Sequence, residues 1–101
     1  MADRSASYEQ FLVLLRALEG GYQIGWFGGR KYGVTIDRPA DGRITRLLAR
    51  ELGGADIVSF NLFQVAGQEP LLKPCEMAAE KVIDFVLGFK SGGTAPPSLL
   101  P

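Results

Sequence analysis

Leu18-Glu19-Gly20-Gly21-Tyr22-Gln23-Ile24-Gly25-Trp26-Phe27 joins a helix pattern to a strand pattern across two glycines. Upstream, Tyr8, Phe11, Leu12, Leu15 and Leu18 recur at helical spacing, which predicts a first helix over about 8–19. Ser7 and Gln10 stand at capping-box spacing before it. The glycine pair can take the left-handed backbone that ends a helix at little cost. Downstream, residues 22–37 read as a hairpin, with Gly28-Gly29 suited to a type I′ turn. That register sets Trp26 against Lys31, Gly25 against Tyr32 and Ile24 against Gly33.

The phrase is echoed as Glu51-Leu52-Gly53-Gly54-Ala55-Asp56-Ile57-Val58-Ser59-Phe60. Its preceding segment, about 43–52, carries Ile44, Leu47, Leu48 and Leu52 at helical spacing, and Asp41 is its candidate N-cap. A second helix is therefore expected there, followed by a strand over 56–65. Gly67-Gln68 suits a type II′ turn into a partner strand over 70–74. In that register 65 faces 70 and 61 faces 74, so Pro70 and Pro74 point their missing N–H groups outward and mark an edge strand. A third helix over about 75–89 presents Ala79, Val82, Ile83, Val86 and Phe89.

The expected fold is thus α+β in the order αββαββα: a mainly antiparallel four-stranded sheet with helices on one face. The echo also allows that the halves are duplicates. At 101 residues the chain reads as a single domain over 1–90, with a Gly-, Ser- and Pro-rich tail over 91–101 expected to be disordered. Hydrophobic residues make up 47%, enough for a modest core, but so small a domain gains from pairing with a second copy.

Eleven Lys and Arg balance eleven Asp and Glu. A neutral chain lacks the broad field that draws proteins onto nucleic acid or anionic membrane. One cysteine precludes an internal disulfide and fits a reducing compartment, and the absence of histidine argues against zinc. No Walker loop or dinucleotide fingerprint is present, so no cofactor is expected. Residues 11–15 are the longest apolar run near the N-terminus, far short of a signal or a membrane span. The expected location is the cytoplasm.

Alternation sends Val58, Phe60 and Leu62 to one face of the third strand and Ile57, Ser59, Asn61, Phe63 and Val65 to the other. Leu72 is expected opposite Phe63 on this second face. Either a helix or the tail covers this mixed face, or a bulge resets the alternation, or the face is a homodimer contact or ligand groove lined by Phe63, Leu72 and Val65. Ser59 and Asn61 there require hydrogen-bond partners if half-buried.

Three other groups carry chemistry. The hairpin tip, with Trp26, Arg30 and Lys31, combines aromatic and basic residues that could stack on bases and neutralise phosphates, or simply pack and turn. Arg43, Arg46 and Arg50 share one stripe of the expected second helix and could grip anions, or form an ordinary solvated face. Cys75, beside Lys73 and Glu76, follows Pro74 at an expected helix N-terminus that would favour a thiolate, or it is an inert buried residue opposite Phe60.

The leading expectation is a non-catalytic binding or regulatory module, homodimeric or bound to another protein, with no membrane role. The alternatives are a thiol-dependent enzyme or redox sensor using Cys75, and a weak nucleic-acid or phosphate binder using Arg30, Lys31 and the three arginines.

Overall fold

The computed structural model describes residues 4–39 and 42–92. In chain order these form α1 (Arg4–Ala17), β1 (Gly21–Phe27), β2 (Arg30–Asp37), β3 (Ile44–Glu51), β4 (Ile57–Phe63), β5 (Leu71–Pro74), α2 (Ala79–Gly88) and β6 (Lys90–Ser91). The six strands make one antiparallel sheet in the order β5-β4-β3-β2-β1-β6. The α+β class stands, with both helices on one face. The αββαββα order and the four-stranded sheet do not.

The main correction concerns the expected second helix, which is β3. Leu, Arg, Ala and Glu favour helices, and adjacent Leu47-Leu48 satisfies either periodicity. Sheet pairing overrides that preference. Val34 lies opposite Ala49 and Ile36 opposite Leu47, while Ala49 faces Val58 and Leu47 faces Phe60 on the other side. Leu47 and Ala49 are buried and Arg46 and Arg50 exposed, as a period of two requires. A helix here would leave the inner edges of β2 and β4 without partners.

The two diglycines consequently do different work. Gly21, at φ 98°, passes from α1 into β1, whereas Gly53, at φ 87°, lies in the turn between β3 and β4. The echo is not a structural repeat. Asp41, the expected N-cap, lies outside the described residues and no helix follows it.

The first hairpin has the expected register, with Gly28 and Gly29 both at positive φ as a type I′ turn needs. The second hairpin is slipped by one residue: Phe63 pairs with Leu71, Asn61 with Lys73 and Leu62 with Leu72. A one-residue slip reverses every side chain, so Leu72 turns to the helix face and Leu71 takes its place on the other. Leu72 gains contact with the core there, and the Tyr8 hydroxyl donates to the Pro70 carbonyl at 3.1 Å, tying α1 to this edge. β5 is nevertheless the edge strand the prolines imply.

Both helix starts differ from expectation. α1 begins before Ser7, which lies within it and cannot cap it. α2 begins at Ala79, after a bend in which Glu76 has φ 60°. Beyond α2, Lys90 and Ser91 pair with Trp26 and Gly25 as β6, so Ser91, expected in the tail, belongs to the sheet. Residues 93–101 lie outside the described residues.

The core lies between the helices and one sheet face. Phe11, Leu12 and Leu15 of α1 and Val82, Phe85 and Val86 of α2 are buried against Tyr32, Val34, Ile36, Leu47, Val58, Phe60 and Leu62. Phe11 meets the Phe60 ring at 5.6 Å and Phe85 meets Tyr32 at 5.1 Å, which fixes both helices on this side. Each large side chain buried this way is worth roughly 1.5–3 kcal/mol. Phe89 closes the far end by lying over Gly25, where any Cβ would strike its ring.

Candidate functional site: the open face of the sheet

Both helices lie on one side, so among the described residues nothing covers the other side of the sheet. Strand register gives its layout row by row. At one end Leu71, Phe63 and Ile44 are neighbours. Next come Lys73, Asn61, Arg46 and Asp37, then Ser59, Leu48, Thr35 and Tyr22. Ile57, Arg50, Gly33 and Ile24 follow, and the last row holds Lys31, Trp26 and Lys90. Five strand spacings separate the outermost strands, about 24 Å at ~4.8 Å each.

The face is both aromatic and basic. Lys31, Arg46, Arg50, Lys73 and Lys90 stand on it, and Asp37 is the one acidic strand residue in register with them. That leaves six cationic and ten acidic residues for the rest of the chain. Among the described strand residues, the cations of this face therefore outnumber its acids five to one, although the chain as a whole is neutral. Arg46 has an exposed ion pair with Asp37 at 3.5 Å. Such a pair contributes little and is readily exchanged. Among the described residues no carboxylate pairs with Lys31, Arg50, Lys73 or Lys90.

Gly33 makes a depression in this surface. With no side chain of its own, it lets the Tyr22 ring lie diagonally across it, so that an added Cβ would meet the phenol hydroxyl. Tyr22, Gly33, Thr35, Leu48, Arg50 and Leu52 line a groove of about 250 Å³. Tyr22 remains 64% exposed, high for an aromatic residue on a strand. Trp26 is half-buried between Lys31 and Lys90, and its Nε1 is buried with no acceptor among the described residues. Such an orphaned donor costs roughly 1–3 kcal/mol.

The structure brings together Trp26, Lys31, Arg46, Arg50, Ser59, Asn61 and Phe63 from the expected site residues, all on this face. Ser59, Asn61 and Phe63 are half-buried there, as strand alternation implied. Leu72 is excluded from the face by the register slip. Arg30 points to the helix side and pairs with Glu51 at 3.5 Å. Arg43 is exposed just before β3 and is not in register with the two strand arginines. Tyr22, Leu71, Lys73 and Lys90 were missed as surface partners. The alternation of Tyr22 with Trp26, two strand residues to a face, was the available signal for the first.

Cys75 is exposed, and its amide donates to the Ser59 carbonyl at 3.0 Å in continuation of the β5 edge. It sits four residues before α2, so the helix N-terminus invoked to stabilise its thiolate is absent. Its expected place opposite Phe60 is taken by Pro74.

On the helix side a separate polar network closes the end of the core. The Tyr32 hydroxyl donates to Asp56 Oδ2 at 2.7 Å, and Lys81 Nζ pairs with Asp56 Oδ1 at 2.7 Å. Hydrogen bonds from Lys81 and Tyr32 hold the Asp56 carboxyl below its ordinary range. Burial, followed by the Asp56 carboxylate, raises the Tyr32 hydroxyl well above its usual value. Its geometry fits a tether between the β3–β4 turn and α2.

Among the described residues no three or more His, Cys, Asp or Glu side chains gather as a metal site, and no helix is long and apolar enough to cross a membrane. Comparison with family models, with curated proteins and with solved structures finds no match to this chain.

Proposed function

We propose that the protein is a small non-catalytic cytoplasmic binding module that receives an extended, anionic partner on the open face of its sheet. One observation carries this reading: among the described residues, five strand cations and a single strand acid share that face of a chain whose total charge is zero. Charge gathered on one side produces a directed local field even where net charge produces none. The half-buried and exposed rings on the same face supply the apolar contact that charge alone lacks.

The test is titration with poly-L-glutamate at low salt, followed through Trp26, the one tryptophan of the chain. Binding that weakens as salt rises, and that is lost in the double variant Arg46→Gln/Arg50→Gln, is the expected result. Unchanged binding in that variant, at unchanged stability, would remove the open face from the function.

A homodimer is the second reading, favoured by the apolar row Leu71, Phe63 and Ile44 at one corner of the face. Leu71 is 52% exposed there. A contact through this corner leaves the basic rows free, whereas face-to-face pairing would set cation against cation. Light scattering after size exclusion should then give a dimer that Leu71→Glu converts to a monomer. A wild-type monomer at high concentration removes this second reading alone.

A further inference from the structure

Resting on the reading of the open face as an anion-binding surface, we infer that its partner is single-stranded nucleic acid. A polyanion of any kind would answer the cations. What distinguishes this face is that each ring stands beside a cation. Trp26 is directly opposite Lys31 on one side and Lys90 on the other. Tyr22 and Arg50 line the same Gly33-floored groove. Phe63 is diagonal to both Arg46 and Lys73 across its two neighbouring strands. An acidic peptide has no use for this alternation, because its side chains do not stack. A single strand offers a phosphate and a flat base in every residue, and aromatic platforms within a basic surface bind it with little regard to sequence.

Three further features agree. The groove above Gly33 admits a planar group against the Tyr22 ring, with the Arg50 guanidinium at its wall. Thr35, Ser59 and Asn61 lie among the rings and offer donors and acceptors to exposed base edges. The broad sheet face suits unpaired bases, whereas a duplex keeps its bases stacked on one another and turns only phosphates and groove edges outward. Three rings correspond to about three stacked bases.

The experiment is fluorescence anisotropy of a short, labelled, mixed-sequence single strand at low salt, as RNA and as DNA, alongside the matching duplexes and poly-L-glutamate. The full chain should bind the single strands and quench Trp26. Affinity should fall with a log–log salt slope of about −2 to −3.5, the range set by five cations at ~0.7 per phosphate. Tyr22→Ala should weaken binding about tenfold while leaving the slope intact. Arg50→Gln should weaken it and flatten the slope by about 0.7. Gly33→Ala fills the groove floor and meets only the outer end of the exposed Tyr22 ring, which can swing into solvent, so it should fold normally and bind less tightly. Arg16→Gln, on the exposed side of α1, should change nothing.

Duplex bound as well as single strand would overturn the inference. So would poly-L-glutamate bound as well as nucleic acid, although the anion-binding reading would survive that result. Binding of neither polymer overturns both. Circular dichroism of Gly33→Ala and Tyr22→Ala separates lost binding from lost folding.

Discussion

The Tyr32 side chain spans the core and ends on a carboxylate. Its ring is buried against Phe85, and on a residue only 2% exposed the hydroxyl needs an acceptor. Asp56 supplies that acceptor and is itself held by Lys81. Asp56→Asn keeps the shape but weakens both interactions, and should cost roughly 1–2 kcal/mol in urea denaturation. The pH dependence follows from the direction of the Asp56 shift. Its folded carboxyl titrates below the unfolded one, so its contribution is complete above the unfolded value of about 3.9 and fades as pH falls through the folded value. Wild type should therefore lose more stability than Asp56→Asn between pH 5 and pH 3 (roughly the carboxylate range). Parallel losses in the two proteins would show that Asp56 is not held in this way. At the same scale, Arg38 donates to the Leu15 carbonyl at 2.6 Å and places a cation at the end of α1.

β3 is the element on which the architecture turns. Leu47 faces the core and Leu48 the open side, although the two are adjacent in sequence. Leu47→Ala should cost about 2–4 kcal/mol by opening a cavity, and Leu48→Ala no more than about 1, since its surroundings can relax into solvent. Thermal or chemical denaturation of the two variants measures the difference. Equal costs would favour the helical arrangement in which both leucines share one face. The same segment marks the limit of what the sequence discloses. Its helix-forming composition is a local property, while its strand conformation depends on β2 and β4, which are distant in the chain. The first hairpin was legible because Gly28-Gly29 encodes its own turn. The β4–β5 register was not, because the connection over 64–70 is too long to fix it. The slip is settled instead by packing of half-buried Leu72 against the core and by the bond from Tyr8 to Pro70. Cys75 went astray with it: a helix placed too early gave the thiol an environment that α2, starting at Ala79, does not provide.

At the scale of the whole molecule, the equality of eleven positive and eleven negative residues conceals the five strand cations that share one sheet face with a single strand acid among the described residues. Composition weighed against nucleic acid, because a total cannot reveal which side of a sheet each charge occupies. The second face of β4 was legible from alternation alone, and its polar centre of Ser59 and Asn61 was visible there. Its extension across β3, β2 and β1 was not, since β3 was needed to connect them. Once β3 is a strand, Arg46 and Arg50 leave a supposed helix surface and join Lys31, Trp26 and Tyr22. The most direct test of this union is a nitrogen-15 correlation spectrum of the full chain, titrated with a short single strand at low salt. Shifts should concentrate at Tyr22, Trp26, Lys31, Arg50, Asn61 and Lys73, with α1 and α2 unmoved. Shifts centred on the helices, or none at any residue of the sheet, would contradict the account.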